Sequence, residues 1–251
     1  MDEVALRRSI IEHCLEMNAS GLNAGTSGNI SVRWGDGLLV TPTGIPYRDL
    51  APGDLPFMRF DGTWQGPLAP SSEWRFHLDI LRNRPEVNAV VHTHPPYSTA
   101  LAIKHLEIPA LHYMIAAAGG NSIRCARYET YGTAALSEAV LEALEGRKAC
   151  LMANHGMIAT GPSLDRAMWL AVEVETLARQ YVLTLQLGGP ILLDDAEIDR
   201  VVEKFKGYGM RSKAAPDLPL SVPGATTVGS ATSAAGISPP DRRSCKAHRR
   251  R

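Results

Sequence analysis

The chain has 251 residues, zero formal net charge, 45% hydrophobic residues and 21% charged residues, values typical of a globular protein. No apolar run reaches the ~18–20 residues of a membrane-spanning helix, and the start lacks the basic and then apolar order of a secretory signal, so we expect a cytoplasmic protein with no membrane partner. Basic residues accumulate after position 211 and leave residues 1–211 acidic, which argues against a nucleic-acid partner.

Hydrophobic periodicity predicts helices and short strands that are interleaved along the chain. Helices are predicted over 4–18, from 71 or 72 to about 83, and over 97–103, 133–145, 163–187 and 195–205. Strands are predicted over 30–33, 37–41, 56–60, 89–94, 122–126 and 149–153. Ser71 or Ser72 could be the N-cap of the second helix. This order indicates an α/β fold with a mixed, largely antiparallel central sheet flanked by helices.

The composition changes after Met210, where proline, alanine, serine, glycine and threonine dominate and the chain ends in arginines. Such a segment has too little apolar surface to pack, so we expect it to be disordered. The sequence therefore predicts one folded domain over 1–210 and a basic tail over 211–251.

His92 and His94 form an H-x-H pair at the end of the predicted strand 89–94. Residues two apart on a strand point to the same face, so both imidazoles would enter one space. Two converging imidazoles are half of a tetrahedral zinc site, or part of a larger transition-metal site. The pair alone leaves open the alternative of two surface histidines leaving a strand.

His155 and Glu73 are candidates for further ligands. His155 follows another apolar strand and precedes Gly156, where backbone could approach closely. Glu73 is expected in the first turn of a helix, where the helix dipole favours a carboxylate. Each has an ordinary structural explanation by itself, but three histidines with one carboxylate are typical of a catalytic metal site with an exchangeable position.

Three short loops could bind an anion, because each offers hydroxyl groups or open backbone N–H groups. They lie at 26–29, 41–44 and 71–72. The third is at a helix N-terminus, where phosphate groups are commonly bound. Their presence beside Glu73 predicts a phosphorylated substrate whose other end reaches the metal.

Residues 1–210 resemble the class II aldolase/adducin family, and most closely its bacterial L-fuculose-1-phosphate aldolases. The resemblance is carried by the stretches 21–33, 39–47, 71–77, 89–94, 112–123, 155–156 and 203–209. It implies a three-layer fold and a C4 homotetramer with active sites between subunits.

The resemblance also implies the roles of individual residues. One zinc ion per subunit would be bound by His92, His94, His155 and, in the resting site, Glu73. The phosphate of a small sugar substrate would bind at Gly28, Asn29, Thr43, Gly44, Ser71 and Ser72. The catalytic residues would be Glu73, Tyr113, which reaches a neighbour's zinc, and Tyr208, which closes over the substrate. Tyr131 stands where the fuculose enzymes carry Phe, and its hydroxyl could alter the aldehyde pocket.

The implied reaction is the zinc-dependent retro-aldol cleavage of L-fuculose 1-phosphate to dihydroxyacetone phosphate and L-lactaldehyde. Zinc would act as a Lewis acid, and Glu73 would protonate the enediolate carbon. One alternative is the same cleavage of 5-(methylthio)ribulose 1-phosphate or 5-deoxyribulose 1-phosphate. A second is L-ribulose-5-phosphate 4-epimerase, whose pattern usually has Asp in place of Glu73. The third is a non-catalytic adducin-like interaction module, which lacks the full set of histidines.

Overall fold

A computed structural model of the protein describes residues 2–205. The predicted tail and Tyr208 lie outside this range, and their predictions stay predictions. The helices are α1 (Glu3–Ala19), α2 (Trp74–Asn83), α3 (Pro96–Ile103), α4 (Ala134–Ala143), α5 (Leu164–Gln186) and α6 (Asp195–Phe205). The strands are β1 (Asn29–Trp34), β2 (Gly37–Val40), β3 (Phe57–Arg59), β4 (Trp64–Gln65), β5 (Ala89–Thr93), β6 (Cys125–Ala126), β7 (Ala149–Met152) and β8 (Gly156–Gly161).

The strands of the described residues form one eight-stranded sheet in the order β4-β3-β2-β1-β5-β8-β7-β6. The β6–β7 pair is parallel, and the six other pairs in this sheet are antiparallel. The predicted mixed, largely antiparallel sheet is therefore confirmed. Strand β5 lies in the interior of the sheet, between β1 and β8, with Asn29 of β1 opposite His92 of β5.

Two apolar clusters cover the two faces of the sheet. Ala89 and Val91 of β5 pack in the cluster that contains residues of α1, α3, α5 and α6. Val90 packs in the other cluster, with residues of α2 and α4. Because β5 is buried on both faces, its sequence is a continuous apolar run rather than an alternating one. The result is a three-layer arrangement in which the end of β5 is held firmly at the centre.

Three local features differ from the prediction. Strand β8 was not predicted, and it pairs with β7 as a hairpin, so His155 lies in the turn of that hairpin and not at a free strand end. The short strand β4 was also not predicted. Helix α2 begins at Trp74, so Glu73 lies at the N-cap position and neither serine does. The reason is a turn before the helix, in which the hydroxyl of Ser71 accepts a hydrogen bond from the backbone N–H of Glu73 at 3.2 Å.

None of the helices in residues 2–205 combines the length and the apolar character needed to cross a membrane.

Candidate metal centre

Four side chains converge at the interior end of the sheet: Glu73, His92, His94 and His155. One potential ligand atom from each lies within 4.8 Å of the others. The Nε2 atoms of His92 and His94 are 2.9 Å apart. The Oε2 atom of Glu73 lies 3.1 Å from Nε2 of His92, and Oε1 lies 3.0 Å from Nε2 of His155. His92 lies in β5 and His94 directly after it, His155 lies in the β7–β8 turn and Glu73 at the start of α2, so the fold itself brings them together.

The backbone fixes the orientation of the innermost ligand. Nδ1 of His92 lies 2.9 Å from the carbonyl oxygen of Met157, and a carbonyl only accepts, so Nδ1 carries the proton in the neutral ring. The Nε2 atom of His92 then has a lone pair that faces Nε2 of His94 and Oε2 of Glu73. Lone pairs that face one another at this distance are stabilised when a cation lies between them.

The charge state of the cluster also suits a metal ion. Burial by itself would raise the pKa of Glu73, but His92 and His155 hold this pKa well below its usual range, so the carboxylate is ionised. Burial is the main cause that lowers the pKa of His94 to about 3, so its imidazole is neutral. A neutral imidazole and an ionised carboxylate are the forms that bind metals.

The spacing provides a test of the fit. Zinc–nitrogen bonds of about 2.0–2.1 Å in a tetrahedral site place ligand atoms roughly 3.3 Å apart, and the three distances here are 2.9, 3.0 and 3.1 Å. Oε1 of Glu73 is buried and makes no hydrogen bond within the described part of the chain. Buried carboxylate oxygens normally have a partner. Residues and spacing therefore fit a transition-metal ion.

A cavity of about 430 Å³ opens over this cluster. It is lined by Glu73, His94 and His155, while His92 is fully buried. The residues predicted to bind phosphate all line the same cavity: Gly28, Asn29, Thr43, Gly44, Ser71 and Ser72. Tyr131 also lines it, together with Tyr128, Glu129 and Asn154. A cavity of this volume is within the range of small-molecule sites.

The loops around this cavity have backbone shapes that suit anion binding. Gly44 has a φ of +70°, a conformation that residues with a side chain adopt only with strain. The Tyr47 hydroxyl donates a hydrogen bond to the carbonyl of Gly28 and so ties the loop 26–29 to the loop after β2. Open backbone N–H groups and hydroxyls on fixed loops are how proteins commonly hold phosphate.

Two predicted catalytic residues are not part of this arrangement. Tyr113 begins the short helix Tyr113–Ala118, is 52% exposed and does not line the cavity of its own chain. Its ring stacks on His112 with 4.6 Å between the centroids. Tyr208 lies outside the described residues.

The structure also adds polar residues that the sequence analysis missed. His77 and Ser31 are fully buried beneath Glu73 and are joined to it through Asn29. The spacing of four between Glu73 and His77 was the available signal, because residues four apart on a helix share a face.

The fold and the site together define a metal-dependent enzyme. Residues 8–182 match the family model described as the Class II Aldolase and Adducin N-terminal domain. The chain is 57% identical over 206 residues to the 5-methylthioribulose-1-phosphate/5-deoxyribulose-1-phosphate aldolase of Rhodospirillum rubrum, covering 82% of this chain and 93% of the relative. It is 53% identical over 212 residues to the L-fuculose phosphate aldolase of Escherichia coli K12, covering 84% and 99%.

The structure is also similar to a solved structure of L-fuculose 1-phosphate aldolase, with a TM-score of 0.78 and 37% identity. The match covers 80% of this chain and 95% of that one. The chain belongs to the class II aldolase/adducin family, as the sequence predicted. It is a class II, metal-dependent aldolase and therefore a lyase, and the family acts on small phosphorylated sugars.

Proposed function

We propose that this protein cleaves a ketose 1-phosphate to dihydroxyacetone phosphate and an aldehyde, with a zinc ion held by Glu73, His92, His94 and His155. The observation that carries the proposal is that one cavity is lined both by three residues of the carboxylate–histidine cluster and by the loops suited to phosphate. A phosphate bound by the loops would fix one end of the sugar and bring its reacting carbons to Glu73. Such fixed placement contributes strongly to catalysis.

The reaction requires that the proton on the C4 hydroxyl is removed, the C3–C4 bond breaks and C3 gains a proton. A bound zinc ion supplies Lewis-acid stabilisation of the negative charge that develops as this bond breaks. Glu73 is ionised in the resting site, so it would take up one proton from solvent and then deliver it to C3; the proton lost by the C4 hydroxyl returns to solvent, and the proton count over one turnover is unchanged. Its Oε2 atom accepts a hydrogen bond from Asn29 at 3.0 Å. Oε1 lies 3.0 Å from Nε2 of His155, so both oxygens of the carboxylate have a polar neighbour that orients them.

Tyr113 is proposed to hold the proton on the aldehyde side, acting in the site of a neighbouring subunit of a C4 tetramer. Its exposed position outside its own cavity supports this arrangement. The exposed apolar residues Leu187 and Ile191 further support an interface between copies, since large apolar groups at a surface commonly mark contact sites. Tyr208 is proposed to close over the substrate. We also propose that the protein acts in the cytoplasm and that the basic tail lies outside the catalytic domain.

Two substrates are candidates. The first is L-fuculose 1-phosphate, which gives L-lactaldehyde, and it is supported by the relative from E. coli and by the solved structure. The second is 5-(methylthio)ribulose 1-phosphate or 5-deoxyribulose 1-phosphate. It is supported by the relative from R. rubrum.

A coupled assay for dihydroxyacetone phosphate tests the proposal over a panel of ketose 1-phosphates, with and without a chelator. We expect chelator-sensitive release of dihydroxyacetone phosphate. A comparison of kcat/KM between the two groups of sugars assigns the substrate, and a strong preference for a 5-deoxypentulose phosphate would reject L-fuculose 1-phosphate. Epimerisation of a pentulose phosphate without dihydroxyacetone phosphate would overturn the proposal. So would a protein that binds no metal and cleaves no sugar, the expected behaviour of an adducin-like module.

A further inference from the structure

We propose that His77 is a positioning residue that, together with Ser31, fixes the side-chain amide of Asn29 so that this amide donates a hydrogen bond to Glu73. The inference rests on the proposed function only in taking Glu73 as a metal ligand and proton carrier. His77 does not line the cavity and is not one of the four residues of the metal cluster.

The four side chains form a continuous buried chain of hydrogen bonds. Oγ of Ser31 lies 2.7 Å from Nδ1 of His77, and Nε2 of His77 lies 2.5 Å from Oδ1 of Asn29. Nδ2 of Asn29 donates to Oε2 of Glu73 at 3.0 Å. Asn29 and Ser31 are two residues apart on β1, so their side chains lie on the same face of the strand. His77 lies four residues after Glu73, which is the N-cap residue of the same helix. All four residues are buried.

The direction of every hydrogen bond in this chain follows from the two contacts of the Asn29 amide. Its NH₂ group faces Glu73 and can only donate, and its carbonyl oxygen faces His77 and can only accept. Nε2 of His77 must therefore carry a proton, and Nδ1 accepts from the Ser31 hydroxyl. A buried network in which each group has one available role is rigid.

Loss of the donor at position 77 would release this constraint. The Asn29 amide could then turn over and place its carbonyl oxygen against the Oε2 atom of Glu73, where two acceptors repel. Glu73 would lose its fixed orientation as a ligand and as a proton carrier. Partners behind a metal ligand typically contribute about 10–100-fold to metal affinity or activity.

Two substitutions separate this role from ordinary packing. His77→Leu removes the donor at similar volume, whereas His77→Gln keeps an N–H group near the position of Nε2. We expect kcat to fall about 10–100-fold in His77→Leu, and we expect His77→Gln to recover most of kcat. Unchanged kcat in His77→Leu, or an equal loss in both variants, would overturn the proposal.

Leu81→Ala is the matched control. Leu81 is buried in an apolar cluster on the same helix, but it belongs neither to the metal cluster nor to the lining of the cavity. It should lower the melting temperature and leave kcat unchanged. If it lowers kcat as much as His77→Leu does, the effect is one of general packing and the proposal is wrong.

Two readouts do not depend on any sugar substrate. Nitrogen-15 NMR of the full chain should show His77 as the neutral Nε2–H tautomer, and the Nδ1–H tautomer would contradict the proposal. Competition between the protein and a chromogenic chelator should show zinc affinity reduced about tenfold in His77→Leu and restored in His77→Gln; equal affinity in all three proteins would contradict it. If the wild type cleaves no sugar phosphate, the proposed function fails, and these two measurements still decide the role of His77.

Discussion

Nδ1 of His92 donates a hydrogen bond to the main-chain carbonyl of Met157, with 2.9 Å between the two atoms, across the β5–β8 pair. The sheet therefore sets the tautomer of this ligand before any metal arrives, and Nε2 is the nitrogen that faces Glu73. A ligand held by two interior strands needs little rearrangement to bind. Metal affinity should accordingly respond sharply to small changes at the ends of these strands.

The double substitution His92→Ala/His94→Ala should abolish both metal binding and cleavage. It removes two of the four converging ligand groups and leaves Glu73 and His155 without a complete site. Metal content per subunit and release of dihydroxyacetone phosphate are the measurements. His13→Ala, a change at a histidine that pairs with Asp165 far from the cavity, should retain both properties. Retained cleavage in a metal-free double variant would contradict the metal mechanism.

Gly156→Ala should weaken metal binding without changing any ligand. A Cβ atom at position 156 would lie 2.6 Å from Cδ2 of His94 and 2.6 Å from the carbonyl oxygen of Thr93, so the imidazole must move. We expect zinc affinity to fall at least about tenfold, in line with other changes behind metal ligands. Gly53→Ala is the control, because a Cβ atom there meets nothing within 4 Å. Equal affinities in the two variants would show that His94 is not a ligand.

Ser72→Ala tests the phosphate loops. Ser72 is exposed and lines the cavity, so its loss should leave stability unchanged. A hydrogen bond to a charged group contributes about 1.5–3 kcal/mol, so we expect KM to rise at least about tenfold while kcat changes little. Ser20→Ala, whose hydroxyl bonds to a helix carbonyl away from the cavity, should have the wild-type KM. A fall in kcat alone would place Ser72 outside the phosphate site.

Mixing two inactive variants tests whether Tyr113 acts in a neighbouring subunit. Tyr113→Phe and Glu73→Gln should each be inactive as pure tetramers. Random co-assembly at equal amounts creates sites with Glu73 from one subunit and Tyr113 from the next, and should restore about a quarter of wild-type activity in a cyclic tetramer. The readout is the activity of co-expressed, co-purified protein. No recovery in verified hybrids would place Tyr113 in the site of its own chain or outside the reaction.

Stability should depend on pH through His77. Burial, with the nearby charge of His92, lowers the pKa of His77 to about 3 in the folded protein, whereas an unfolded histidine has a pKa of about 6.5. The unfolded chain therefore gains a proton first as the pH falls, and the free energy of unfolding decreases from about pH 6.5 downward.

For one such histidine the slope approaches about 1.4 kcal/mol per pH unit. We would measure the free energy of unfolding of the metal-free full chain by urea between about pH 6.5 and pH 4. Its slope against pH should be smaller in His77→Gln than in the wild type by this amount. The low pKa values of Glu73 and His94 also lower the free energy of unfolding as the pH falls, but they do so in the wild type and in His77→Gln alike. Identical slopes would mean that His77 is not held neutral by burial.

The sequence predicts most of the fold because its periodic segments are long and clear. The helix predicted over 195–205 matches α6, and the helix predicted over 163–187 matches α5, for which Ser163 is the N-cap. Strand β8 was missed because the run Gly156–Gly161 has no polar–apolar alternation to mark it. Asn154, which adopts a φ of +52° in the preceding turn, is a residue type that commonly occupies such a position, and it was the available signal for a hairpin.

For the site, the H-x-H pair was recognisable from its spacing at a strand end, and His155 from its place after a second apolar strand and before Gly156. The residues that are hydrogen-bonded behind Glu73 were harder to recognise from the sequence. His77 follows Glu73 on the same helix face, but only the pairing of β1 with β5 brings Asn29 between them. A contact between residues 29 and 77 depends on the tertiary fold, and a single sequence contains no direct record of it.

The parallel pair β6–β7 lies at one edge of the sheet, and the two-residue strand β6 leads directly into the segment that contains Tyr128 and Tyr131. These two tyrosines are exposed and form one wall of the cavity. The metal cluster, in contrast, is fixed to interior strands and to the start of α2. Under the proposed roles, selectivity for the departing aldehyde would be set at the edge of the sheet and the bond-breaking chemistry at its interior, so that a change in one would leave the other in place.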